Sequence, residues 1–68
     1  MNGAEGLTDL QKAIYEFIKG KGKATRAELI AHFNLKEIEL QSELAVMRHC
    51  ELVKGYREGD RIYLVLFR

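Results

Sequence analysis

Proline and tryptophan are absent and cysteine occurs once in this chain of 68 residues. A single cysteine, Cys50, excludes an internal disulfide framework and any cysteine-rich zinc site. His49 precedes it, but neighbours on a helix point about 100° apart, so the pair is poorly placed to act together. Cys50 is therefore expected as a small buried hydrophobe. No apolar run approaches the ~20 residues that span a bilayer. The opening MNGAEGLTDL has no basic segment followed by an apolar one, so no signal peptide is expected and the expected location is cytoplasmic. Charge of one sign is missing too: 11 basic and 10 acidic residues leave a net charge of +1. Nucleic-acid binding driven by total charge is thereby excluded, and any such binding must rest on where the charges lie. A phosphate-cradling glycine loop is also lacking, because GKGK at 20–23 has neither the required spacing nor a preceding apolar strand. Glu58 and Asp60 have no histidine close in sequence, so no catalytic constellation stands out. The chain is read as a non-enzyme with no cofactor and no metal.

What is present is a globular composition, 47% hydrophobic, in a chain that buries only about 60% of its unfolded surface. Its organising stretch is TRAELIAHFNLKEIELQSELAVMRHCELV, from Thr25 to Val53. Thr25 with Glu28 forms a capping box, which predicts a helix start. Leu29, Ile30 and Phe33 supply the apolar stripe, and Asn34 is the predicted break because Asn tolerates the left-handed conformation. A second periodic run, Leu40, Leu44 and Met47, predicts another helix over 37–50. Two helices joined by so short a turn make a helix-turn-helix.

The remainder supports this pair. Residues 1–6 are expected to be a flexible tail, and 7–68 one domain. Thr8 with Gln11 is another capping box. It opens a helix whose apolar face carries Leu7, Leu10, Ile14, Phe17 and Ile18, with Lys12, Glu16 and Lys19 off the stripe. Glu16 is placed to pair weakly with Lys12 or Lys19. Gly20 or Gly22 ends that helix, and Lys23-Ala24 is a candidate short strand. The end of the chain reads as a strand over 52–57, a turn at 58–60 with a bulge at Gly59, and a returning strand over 61–67. On that strand Ile62, Leu64 and Leu66 share one face, and Tyr63, Val65 and Phe67 the other. Only one set can face the helices. The other, on an edge strand, is left for the first helix or for a partner. Tyr15, Tyr56 and Tyr63 are expected to be partly buried, and His32 lies at the surface.

Helix, short strand, helix, turn, helix and hairpin is the order of a winged-helix domain. The chain resembles that family over residues 8–67, on the ATRAELIAHFNL run at 24–35, on Leu40, Leu44 and Met47, and on Glu51-Leu52-Val53 leading into the hairpin. The resemblance implies an α+β winged helix-turn-helix, three helices packed on a small antiparallel hairpin. It further implies binding of double-stranded DNA by a small transcriptional regulator, with the third helix (37–50) in the major groove and the wing (54–62) on the backbone. The alternative it leaves open is a protein-interaction module or accessory subunit. RAELIAHFNL with the Leu40/Leu44 spacing is also similar to the small winged-helix accessory proteins of bacterial ferrous-iron transport, although EGD replaces their cysteine-rich wing. GKATRAEL resembles Z-DNA-binding domains, but Glu39 and Glu43 fall where those carry groove-reading Asn and Tyr.

On the third helix, with Leu40, Leu44 and Met47 turned inward, Ile38, Ser42 and His49 lie opposite. Gln41 and Arg48 lie along one edge, and Glu39 and Glu43 along the other. Gln41, Ser42, Arg48 and His49 are the side chains suited to base edges or phosphates. Arg26, Lys36, Lys54, Arg57 and Arg61 form a candidate basic rim around them. Ile38 and Val46, together with Tyr63, Val65 and Phe67, are the candidate surface for a protein partner or a weak homodimer.

Overall fold

The computed structural model describes residues 7–67; the tail expected at 1–6 lies outside the described residues. Both capping boxes read from the sequence are formed. Thr8 Oγ1 accepts from the Gln11 N–H at 3.1 Å, and Gln11 Oε1 accepts from the Thr8 N–H at 3.1 Å. With two orphan donors satisfied, α1 runs Asp9–Lys21. Gly22 stops it at φ 86°, donating its N–H to the Ile18 carbonyl at 2.7 Å. The second box joins Thr25 and Glu28, with bonds of 3.1 and 2.9 Å, and opens α2, Arg26–Phe33. Asn34 ends it in the left-handed conformation, φ 53° and ψ 53°.

The third helix, α3, runs Glu37–His49, and Cys50 is its cap rather than its last residue. Half a capping box starts it: the Glu39 carboxylate accepts from the Lys36 N–H at 2.8 Å. Lys36 has only donors on its side chain and cannot reciprocate. Glu51 follows at φ 59° and turns the chain into the hairpin. Cys50 is exposed. The expectation of a buried thiol fails because the residue caps a helix end, outside the Leu40–Leu44–Met47 stripe that faces inward.

The hairpin also differs from its reading. Its strands are β1, Val53–Glu58, and β2, Arg61–Leu66, and Glu58 pairs directly with Arg61. The connection is therefore the two residues Gly59 and Asp60, not a bulged three-residue turn. Gly59 takes φ 64° while Asp60 keeps a negative φ, the pattern of a type II′ turn with glycine first. That turn's twist matches the strands without a bulge.

Ile14 and Ile18 from α1, Ala24, Leu29, Leu40, Leu44, Met47, Val53 and Leu64 form the core. Leu64 thus decides the sheet's orientation. Val53, Gly55 and Arg57 on β1, with Ile62, Leu64 and Leu66 on β2, occupy the face toward the helices. Lys54, Tyr56 and Glu58, with Arg61, Tyr63 and Val65, occupy the other face. Ala24 and Leu64 exchange both backbone bonds, at 3.1 and 2.7 Å, so the short strand expected at 23–24 is a single bridge on the outer side of β2. That bridge changes the edge. β2 lies between Ala24 and β1, and β1 is the open strand.

Layers of three helices and an antiparallel hairpin make this an α+β fold with the layout of a winged helix. Two side-chain details depart from expectation. Glu16 forms no ion pair with Lys12 or Lys19 among the described residues; the pairs formed are Lys21–Glu28, Lys23–Glu58 and Arg26–Glu37. Tyr15 and Tyr63 are half-buried as expected, whereas Tyr56 is exposed, because its face of β1 points away from the core.

Candidate functional site

The exposed flank of α3 and the hairpin beside it hold most of the residues singled out from sequence. Leu40, Leu44 and Met47 are buried, which fixes the rotation of the helix. Gln41, Ser42, Ala45, Val46, Arg48 and His49 are consequently exposed, as are Lys36, Lys54, Arg57 and Arg61. Ile38 is 72% exposed and Val46 45%.

Arg48 joins helix to hairpin. A Cβ placed on Gly55 would stand 3.7 Å from Arg48 Nη2 and 4.0 Å from Ile62 Cγ2. The guanidinium therefore lies against the bare backbone of β1 on its helix-facing side. Arg57 shares that side of the sheet, two residues along the strand. Gln41 lies two turns before Arg48 on the same helix flank. Arg48 and Arg57 thus share one side of the hairpin, with Gln41 about 10 Å further along the helix flank. Lys54 and Arg61 do not, since the strand alternation puts them on the other face of the sheet. Among the described residues, no carboxylate lies within ion-pair reach of Lys36, Arg48, Lys54, Arg57 or Arg61. Arg26 differs: its Nη2 is 3.8 Å from Glu37 Oε2, so part of its charge is answered at the start of α3.

Lysine ammonium groups lie over two of the three side chains of the surface expected at Tyr63, Val65 and Phe67. Lys23 Nζ sits 4.5 Å from the Tyr63 ring centroid and Lys54 Nζ 5.4 Å from that of Phe67. Tyr63 and Val65 are half-buried and only Phe67 is exposed. Three large apolar groups on a free edge are therefore not what the fold presents. Ala24 bridges the edge at Leu64, and cations lie over the Tyr63 and Phe67 rings.

Lys23 also donates to Glu58. That bond, followed by the attraction of the same carboxylate, holds its ammonium above the ordinary lysine value. Glu28 is held below the ordinary carboxylate range, first by the bond from Lys21 and then by the Thr25 N–H.

Two contacts had weak sequence signals or none. Gln11, only 6% exposed, donates from Nε2 to Glu43 Oε1 at 2.7 Å, tying α1 to α3 across 32 residues of sequence. Gln11 is legible in the sequence as a capping residue; its partner on α3 is not. His32, at the surface as expected, packs tilted against Phe17 with ring centroids 4.4 Å apart and meets Phe33 edge to face at 4.7 Å.

A shallow cleft of ≈ 350 Å³ lies between the end of α1 and the hairpin, with Ile18, Val65 and Leu66 as apolar lining and Lys19 and Lys54 among its walls. Among the described residues, no group of three or more His, Cys, Asp or Glu is arranged to hold a metal ion. No helix among them is long and apolar enough to cross a membrane. Comparison with protein-family models finds no match for the chain, and comparison with curated proteins finds none.

Proposed function

We propose that this chain binds double-stranded DNA as a small cytoplasmic transcriptional regulator of the winged-helix type, with α3 in the major groove and the hairpin on the backbone. The observation that supports this reading is the contact of Arg48 with the wing at Gly55. It brings Arg48 to the face of the hairpin that Arg57 shares, and neither has a carboxylate partner among the described residues; Gln41 lies on the same helix flank as Arg48. Arg and Gln are residue types that read base edges bidentately or hold phosphates. Lys36 adds a cation at the helix start, and Lys54 and Arg61 add two more on the outer face of the wing.

A protein-interaction role is the second reading. It draws on the exposed apolar side chains of Ile38, Val46 and Ile62, the last 62% exposed at the wing, with Glu37 and Glu39 beside them. Such a surface suits a partner that is apolar with a basic border.

Fluorescence anisotropy with a random-sequence duplex, titrated at two salt concentrations, separates the two. DNA binding predicts an affinity that falls as salt rises, with a slope set by the number of phosphates neutralised. No binding at low salt, or binding without a salt slope, would refute the DNA reading and favour the second.

A further inference from the structure

The open edge of β1 has a polarity that can be worked out from its neighbours. Leu64 spends its N–H and C=O on Ala24, so both groups point away from β1. Gly55, which faces Leu64, is therefore in a non-hydrogen-bonded pair, and the alternation of an antiparallel ladder follows. Lys54, Tyr56 and Glu58 bond inward to β2. Gly55 and Arg57 direct their N–H and C=O outward, to an edge that no described segment covers. Glu58 and Arg61 then form the bonded pair that closes the two-residue turn, in agreement with the register.

We propose that this edge pairs with the same edge of a second copy of the chain, antiparallel about a two-fold axis through Tyr56. The edge is self-complementary in one register. With Tyr56 on the axis, Gly55 of each copy meets Arg57 of the other, and the outward groups of all four residues bond. Lys54 of each copy then stands opposite Glu58 of the other, twice. Both contacts are non-hydrogen-bonded pairs, where side chains come closest, about 4.5 Å between Cα atoms. Tyr56 meets its own copy, extending the Tyr56–Tyr63 pair of each hairpin into a row of four tyrosines. Opposite charges and aromatic pairs are the favourable cross-strand contacts. The neighbouring registers with the same bonding parity are poorer. Shifted one step toward the tip, Arg57 faces Arg57. Shifted one step the other way, Gly55 faces Gly55 and Lys54 faces Tyr56; one step further, Lys54 faces Lys54.

Little inside one chain opposes the pairing. Glu58 gives Oε1 to Lys23, which leaves Oε2 for the second copy's Lys54. Lys54 has no carboxylate partner of its own among the described residues. Gly55 offers no side chain where the second copy's Arg57 arrives. The neighbouring cation there, Arg48, is exposed and able to turn to solvent. Both copies keep their helices on the same side of the joined four-stranded sheet, as an isologous dimer requires.

Sedimentation over rising protein concentration, with charge reversals on the edge, tests this. The wild type should show a dimer fraction that increases with concentration. Lys54→Glu and Glu58→Lys each place like charges opposite one another twice, so each should remain monomeric. Mixed in equal amounts, the two variants should form a heterodimer, because one copy then carries both acids and the other both bases. Arg57→Pro removes an outward N–H but no bond to β2 and should also be monomeric, with circular dichroism and thermal melting confirming that it folds. Amide exchange should protect Gly55 and Arg57 in the dimer. A wild type that stays monomeric at every concentration, single reversals that dimerise like it, or a mixture that fails to associate would overturn the pairing. So would a dimer whose protected amides lie elsewhere, on α3 for instance.

Discussion

Replacing Gln11 with Ala should destabilise the domain well beyond the loss of one surface hydrogen bond. Gln11 is buried and works through both ends of its amide. Its Oε1 accepts from the Thr8 N–H at 3.1 Å, and its Nε2 donates to the Glu43 carboxylate at 2.7 Å. A neutral bond contributes about 0.5–1.5 kcal/mol and one to a charged group about 1.5–3 kcal/mol. Glu43 is only half-buried, so water can replace part of the second bond and the lower end of that range applies. The sum is about 2 kcal/mol. A chain of 68 residues has about 3–10 kcal/mol of total stability at ~0.05–0.15 kcal/mol per residue. The melting temperature should therefore fall by about 8–16 °C. Thermal unfolding followed by far-UV circular dichroism measures this shift, and urea unfolding the free energy. A double-mutant cycle with Glu43→Ala isolates the helix–helix bond from the cap, with a coupling of about 1 kcal/mol expected. Gln11→Glu should also be destabilising and should be rescued by Glu43→Gln, which restores a donor to the facing carboxylate. A coupling below ~0.3 kcal/mol, within ordinary additivity, would refute the claim that this bond holds α1 against α3.

Other expectations follow from single contacts. Glu28, held below its ordinary value chiefly by Lys21, contributes stability that is present above the unfolded carboxylate value and lost as pH falls through the folded one. Glu28→Gln should flatten the acid limb of the stability–pH curve, and an unchanged limb would remove Glu28 as its cause. Glu51, at φ 59°, carries a left-handed strain of about 1–2 kcal/mol. Glu51→Gly relieves it at an entropic cost of about 0.5–1 kcal/mol, so chemical denaturation should show a gain of up to ~1.5 kcal/mol; a loss would contradict the strain argument. If DNA is the ligand, Arg57→Ala and Arg61→Ala should weaken all duplexes alike and lower the salt slope by about one unit per lost phosphate contact. An unaltered slope would take the wing out of the DNA contact.

The features legible in the sequence are those decided within a few residues. Thr8 with Gln11 and Thr25 with Glu28 lie three positions apart, a separation at which one helical turn brings side chain and backbone together regardless of the rest of the chain. Asn34 and Gly22 end their helices by a conformation that their own side chains permit. The inward stripe Leu40, Leu44 and Met47 follows from helical periodicity alone, and from it the exposure of Gln41, Arg48 and the other candidate readers. Tertiary structure decided everything that depends on what arrives from a distance. Strand alternation defined two apolar sets on β2 but not which faced inward; Leu64 entering the core with Val53 settled that. A lone residue, Ala24, bridges β2 at Leu64 and leaves β1 as the strand with no further partner, a pairing no local pattern encodes. Gln11 finds Glu43 only because the fold brings that turn of α1 within reach of α3. Cys50 is apolar enough to be buried, yet it caps a helix that has already spent its buried face, and solvent is what remains beside it.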